Sequence, residues 1–224
     1  MTTPDSTGST KKQILIVEDH PMTRMGLINL INGESDLHVC GEAESAATGL
    51  DAVIACKPDL VITDISLPGK SGLELLKDIH AVNPNIPMLT ISMHAESIYA
   101  ERALHAGSRG YIMKSESGDR ILNAIRTVLT GQIYVSEKIS SQILENVSGR
   151  SSSPKTGVDG LSDREFEIFQ LMGKGLSTQQ IATRLHLSSK TVDSHRARIK
   201  TKLATETMAE LIAMAASWVE HEMR

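Results

Sequence analysis

The stretch DLVITDISLPGKSGLELL, residues 59–76, decides the fold. Leu60-Val61-Ile62-Thr63 is a short unbroken apolar run that stops at a carboxylate, Asp64. A helical pattern follows from Gly72 to Val82 and stops before Pro84. Unbroken apolar runs of this length suit strands of a parallel sheet covered on both faces, where neither side of the strand meets water.

The same unit recurs on either side. Ile14-Leu15-Ile16-Val17 ends in Glu18-Asp19, Met88-Leu89-Thr90-Ile91 in Ser92, and Gly110-Tyr111-Ile112-Met113 in Lys114. A weaker run, Leu37-His38-Val39-Cys40, precedes Gly41-Glu42. Helical patterns alternate with these runs. One opens at Pro21, a favourable first helical position, and others span 46–55, 97–106 and 119–129, the last two ended by Gly107 and Gly131. Five strands alternating with five helices predict a doubly wound α/β domain.

From Ser148 to Gly160 the chain reads SGRSSSPKTGVDG, small and polar with Pro and Gly, the composition of a flexible linker. No strand-like run follows. Four helices are expected over 161–172, 178–185, 189–203 and 207–219, three with capping-box spacing: Ser162 with Glu165, Ser177 with Gln180, Thr207 with Glu210. The expected fold class is therefore a flavodoxin-like five-stranded parallel sheet plus a small all-α four-helix helix-turn-helix domain. The expected division is a disordered tail over 1–12, an α/β domain over 13–131, a helix and flexible linker over 132–160, and the helical domain over 161–224.

Composition narrows the classes. Hydrophobic residues are 40% and charged residues 22% of the 224, ordinary for a folded globular chain. Aromatics are only 3%, so the core must be aliphatic. Two cysteines, Cys40 and Cys56, are too few for a disulfide framework and read as buried free thiols in a reducing compartment. No apolar run reaches membrane-spanning length and the N-terminus lacks an apolar signal core, so a cytoplasmic protein is expected. The net charge of −4 hides an asymmetry. Residues 184–202 carry six basic side chains against one acid, Asp193, a local +5.

In an open α/β sheet the functional crevice lies at the carboxyl ends of the strands. Glu18, Asp19, Asp64, Ser92 and Lys114 end four different runs. Singly, each is ordinary: a strand-end Asp is usually a cap or turn residue, and a Lys there a solvated edge. Together, three carboxylates repel unless a cation sits among them. Oxygen ligands on a loose shell suit Mg²⁺, which keeps some of its waters and takes one or two carboxylates with phosphate oxygens. A Lys to neutralise a phosphoryl group and a Ser hydroxyl to donate to it complete a set suited to phosphoryl transfer onto a carboxylate.

At these residues the chain resembles the receiver domain of bacterial response regulators: ILIVEDHP (14–21), DLVITDISLPGKSGLELL (59–76), ISMHAE (91–96) and AGSRGYIMK (106–114). The resemblance implies that Asp64 accepts a phosphoryl group from a sensor histidine kinase. It implies Mg²⁺ held by Glu18, Asp19, Asp64 and the Ser66 carbonyl, and Lys114 paired with the phosphoryl oxygens. Ser92 and Tyr111 would be the switch pair, Ser92 swinging toward the acyl phosphate and Tyr111 turning inward behind it. Ser115 stands where many of the family carry proline.

Helix 178–185, a short turn and helix 189–203 fit the helix-turn-helix plan. Val192, Ile199 and Leu203 share one face, while Lys190, Ser194, Ala197 and Thr201 lie opposite with Asp193 and Arg198 beside them. LSDREFEIFQLMGKGLSTQQIATRLHLSSKTVDSHRARIKTKL (161–203) resembles the LuxR-type DNA-binding domain. The implied DNA contacts are Thr178, Lys190, Thr191, Asp193, Ser194, Ala197, Arg198, Lys200, Thr201 and Lys202. Val192, His195, Ile199 and Leu203 face inward or to phosphates. Receiver plus LuxR-type domain is the architecture of NarL/FixJ-type response regulators. It implies a transcription factor, not an enzyme beyond its own phosphorylation and dephosphorylation, that binds double-stranded promoter DNA as a homodimer, with RNA polymerase as a further partner and no membrane role. Two other classes fit less well. An Mg²⁺-dependent aspartyl-phosphate phosphohydrolase would place an acid where Ser66 stands, and a phospho-regulated interaction module would lack DNA affinity. The eight histidines show no metal-ligand spacing: His94 and His105 read as helix or loop residues, and His20, beside the acidic residues, as a capping or surface residue within reach of a partner.

Overall fold

The computed structural model describes residues 11–147 and 157–222. Five parallel strands form one sheet: β1 (Lys12–Val17), β2 (Leu37–Ala43), β3 (Leu60–Thr63), β4 (Met88–Ser92) and β5 (Gly110–Met113), in the order β2-β1-β3-β4-β5. That order is the flavodoxin-like one expected. β1, β3 and β4 are almost wholly buried because helices cover both faces. Helices α1 (Pro21–Asn32) and α5 (Gly118–Leu129) lie on one face; α2 (Ala46–Cys56), α3 (Gly72–Val82) and α4 (Glu96–His105) lie on the other. Ser45 and Ser71 cap α2 and α3 in reciprocal capping boxes, satisfying donors that the helix starts would otherwise leave bare.

Helix α6 (Glu137–Val147) packs on α4, and a 3₁₀ turn at Gly157–Gly160 leads to α7 (Asp163–Gly173), α8 (Thr178–Arg184), α9 (Ser189–Lys202) and α10 (Met208–Glu222). Gly173 is required at the α7–α10 crossing, since a Cβ there would run into the Ala215 carbonyl.

Several expectations shift. Lys12, placed in the tail, begins β1, and its N–H donates to the Asp36 carbonyl just before β2; residues 1–10 of that expected tail lie outside the described residues. Of the expected linker, 148–156 lies outside them as well, whereas 157–160 is helical with Val158 buried. Capping by Glu210 differs too: its carboxylate takes the Glu206 N–H, while Thr207 caps the Glu210 N–H. The cysteines are half-buried rather than buried. The β1–β2 register slips between Ile14 and Leu15, leaving Cys40 as the extra residue beside Cys56, and burial pushes its thiol up to about 11. Among the described residues no helix is long and apolar enough to cross a membrane.

Candidate functional site

The sheet register brings the strand-end residues together. Val17 pairs with Thr63, and Ser92 pairs with Met113, so Glu18, Asp64 and Lys114 emerge at one edge. The Asp64 N–H donates to the Val17 carbonyl at 3.0 Å, and the Lys114 N–H to the Ser92 carbonyl at 2.8 Å. Gly72 lets the start of α3 lie directly against the Asp64 backbone, where a Cβ would strike the Asp64 carbonyl. The sequence pattern marks Asp64 as a strand end, whereas for Gly72 it indicates only the opening of a helix.

At the edge Lys114 reaches two carboxylates, Asp64 Oδ2 at 2.8 Å and Glu18 Oε2 at 2.7 Å, with all three side chains buried. Burial pushes the Glu18 carboxyl up, the Lys114 hydrogen bond opposes this, and the Asp64 charge adds to it. For Lys114 burial disfavours the charge, but Asp64 and Glu18 outweigh it and hold the ammonium firmly protonated. Asp64 Oδ1 accepts the Ile65 N–H at 2.6 Å, which fixes the carboxylate plane.

Glu18, Asp19, His20 and Asp64 each direct one ligand atom into a space where these atoms lie within 4.8 Å of one another. Asp19 Oδ1 is buried with no hydrogen-bond partner; His20 Nδ1 stands 2.8 Å away without forming one. A buried carboxylate oxygen left bare carries a desolvation cost unless a cation satisfies it. The oxygen-rich set therefore fits a hard divalent cation.

Ser92 and Tyr111 are fully buried behind the edge. The Tyr111 hydroxyl donates to the His94 carbonyl at 2.8 Å, with the ring buried. His94, read from sequence as an ordinary loop residue, is the hub here. Its N–H meets Ser92 Oγ at 3.4 Å, its Nε2 lies 2.8 Å from Ser66 Oγ, and its ring packs on Tyr99 at 4.6 Å. Burial lowers its pKa to about 4, with Asp64 opposing.

The helical domain docks on the same face. Tyr99 donates to Gln170 at 2.8 Å and meets Phe166 edge-on at 5.5 Å. Arg102 lies 3.9 Å over the Phe166 ring and donates to the Val158 and Leu161 carbonyls. Lys77 pairs with Asp163 at 2.8 Å, and Arg164 donates to the Gly69 carbonyl at 3.0 Å. Closest to the edge, Ser66 Oγ reaches Glu167 Oε1 at 3.4 Å. None of these contacts was visible in the sequence, since each joins side chains far apart along the chain.

Helix α9 presents the other surface. Val192 and Ile199 are buried, and Leu203 and His195 half-buried, as its inner face. Lys190, Asp193, Ser194, Ala197, Arg198 and Thr201 are exposed together on its outer side, and Ala197, Arg198, Thr201 and Lys202 line a shallow depression. Thr191 is half-buried beside the Ser188 cap, Lys200 is half-buried, Thr178 is held by Arg196 and Asp193, and Lys202 pairs with Glu165 at 2.7 Å. Of the ten expected DNA contacts, Thr178, Thr191, Asp193 and Lys202 thus bond other side chains of the protein, and the Ser194 and Thr201 hydroxyls donate to backbone carbonyls of α9.

Two families match. The response regulator receiver domain covers residues 14–126, and the bacterial regulatory proteins of the luxR family cover 159–215. The Fimbriae Z protein of Salmonella typhimurium is 33% identical over 212 residues, 94% of this chain and 97% of its own. The oxygen regulatory protein NreC of Staphylococcus aureus is 34% identical, over 91% of this chain and 96% of its own. A crystal structure described as a two-component response regulator, LuxR family, from an Aurantimonas species is 31% identical with a TM-score of 0.57, over 62% of this chain and 99% of its own.

Proposed function

The chain belongs to the two-component response regulators that join a receiver domain to a LuxR-type DNA-binding domain, and from that membership we propose that phosphorylation of Asp64 governs its binding to promoter DNA. The observation that carries this reading is the buried Asp64–Lys114–Glu18 constellation at the strand ends. An Asp64 carboxylate oxygen attacks the phosphorus of a sensor kinase's phosphohistidine. The P–N bond breaks, an acyl P–O bond forms, and the imidazole leaves. Lys114, already charged and aimed at Asp64, pairs with the phosphoryl oxygens. Ser92 donates its hydroxyl to them, and Tyr111 holds the loop behind. Glu18, Asp19, Asp64 and the Ser66 carbonyl would hold Mg²⁺, which would supply charge neutralisation at the phosphoryl oxygens.

The receiver spans 12–131, starting with β1 at Lys12, the connecting segment 132–160 and the DNA-binding domain 161–224. The +5 stretch supplies phosphate contacts, and the small Ser194 and Ala197 let α9 enter the major groove. Lys190, Thr191, Asp193, Arg198, Lys200, Thr201, Lys202 and, from α8, Thr178 complete the surface. The protein acts in the cytoplasm as a homodimer on DNA, with a sensor histidine kinase upstream and RNA polymerase downstream. It catalyses nothing beyond the gain and loss of its own phosphoryl group. A phosphohydrolase would place an acid at Ser66.

In the full chain, Asp64→Asn is expected to reduce phosphoryl label from acetyl phosphate with Mg²⁺ to background. Label at the parent's level in that variant would overturn the assignment.

A further inference from the structure

The DNA-binding domain does more than cover the receiver: it places a carboxylate beside the residue two positions past Asp64. Glu167 stands on α7, 101 residues beyond Ser66, yet its Oε1 meets the Ser66 hydroxyl at 3.4 Å. A hydroxyl has one proton. When Ser66 gives it to Glu167, the 2.8 Å contact to His94 requires His94 Nε2 to be the donor, as a neutral imidazole can be. Glu167 is buried, and Arg164 pairs with it at 2.6 Å. That guanidinium is itself committed, donating also to the Gly69 and Leu185 carbonyls. Asp64 and Glu167 already feel one another, since the Asp64 charge adds to the burial that raises the Glu167 carboxyl.

We propose that Glu167 is the group through which the DNA-binding domain senses the charge at Asp64, its carboxylate opposing a phosphoryl group whenever the two domains are docked. The proposal rests on Asp64 being the acceptor. An acyl phosphate carries about one more negative charge than the carboxylate it replaces. Around Glu167 that charge falls in a water-poor space where salt screens little and like charges repel strongly. Glu167 is joined to the loop that follows Asp64 through the Ser66 hydroxyl, so separation of α7 relieves the repulsion. The domain also brings Lys174 and Arg184 near enough to act on His94. Its charge toward the site is therefore mixed, and among the described residues Glu167 is its member hydrogen-bonded to Ser66. The other interdomain contacts do not touch Ser66: Tyr99 bonds Gln170, and Lys77 and Arg102 pair with Asp163. Binding linkage is reciprocal, so docking disfavours phosphorylation by the factor that phosphorylation disfavours docking, about tenfold for a coupling of ordinary size.

The test separates sensing from simple adhesion by sign. Full-length parent, Glu167→Gln and the pair-neutral Arg164→Gln/Glu167→Gln are treated with acetyl phosphate and Mg²⁺. Label uptake and domain separation, read by small-angle X-ray scattering, are followed together. If Glu167 senses charge, the variants take up label at least as well as the parent, and the label shifts their docking equilibrium about tenfold less. The double variant guards against the bare Arg164 that the single change leaves. If labelled variants open as fully as the labelled parent, the proposal is overturned. If both variants are open before the donor is added, Glu167 only holds the domains together, and the proposal is likewise overturned. If the parent takes up no label, the assignment of Asp64 is what fails.

Discussion

Two helices of one domain, α7 and α9, are of similar length and opposite in exposure. On α7 every residue from Asp163 to Met172 is buried, charged ones included. On α9 only Val192 and Ile199 are buried, and most of the rest is basic or small. The sequence of α7 is no more apolar than that of many surface helices: DREFEIFQLMG has two glutamates, an aspartate and an arginine. Its burial comes from being gripped on two sides, by α9 and α10 of its own domain and by α3 and α4 of the receiver. Each charge is then paid for locally: Asp163 by Lys77 and Arg102, Glu165 by Lys202, Glu167 by Arg164. The helix proposed to read DNA keeps its charges in water; the helix proposed to sense Asp64 buries them in pairs.

The largest effect is expected at Ile199, the buried anchor of α9. Ile199→Ala is expected to cost about 3 kcal/mol, from lost burial and the cavity it leaves. It should lower the unfolding midpoint of the helical domain in denaturant and weaken DNA binding only as the fold is lost. DNA affinity lost with no change in stability would mean that this face contacts the duplex, and the division of α9 into inner and outer sides would break.

Arg198, one step away and exposed, should behave in the opposite way. Arg198→Ala is expected to leave stability within about 0.5 kcal/mol. It should weaken binding to all sequences alike and reduce the slope of log affinity against log salt by about 1. A stability loss comparable to that of Ile199→Ala would remove the contrast between the two neighbours.

How far the sequence reached follows the same line. The strand runs were legible because β1, β3 and β4 are buried on both faces and so carry no polar alternation to confuse with a helix. Asp64, Glu18, Asp19 and Lys114 were legible because parallel strands in register put their ends at one edge, and a carboxylate after an apolar run marks that end. β2 was the least clear because its central residues are half-exposed and its register slips at Cys40. His94 was missed because its role rests on Ser66, Tyr99 and Tyr111, none of which is set by local periodicity. Glu167 was out of reach for a stronger reason: a hydroxyl 101 residues earlier defines its role, and no spacing rule spans two domains.

The smallest effect expected sits where α7 and α9 meet. Glu165 Oε2 accepts from Lys202 at 2.7 Å, while the same carboxylate takes the Ser162 N–H at the helix start. Burial raises the Glu165 carboxyl, but Lys202 and Ser162 outweigh it and hold it below the ordinary glutamate range. A carboxyl lowered on folding contributes stability that is complete above the unfolded value and is lost as pH falls through the folded one. The helical domain's melting temperature should therefore drop modestly as pH falls below the ordinary carboxylate range, and Glu165→Gln should flatten that part of the profile. Lys202→Ala should flatten it as well, because the ammonium is the largest force holding the carboxyl down. If Lys202→Ala weakens DNA binding while leaving the acid limb of the profile untouched, Lys202 belongs with the exposed cations of α9. If it flattens the limb and spares the DNA, it belongs to the buried pairs of α7, and the border between the two helices runs through this one side chain.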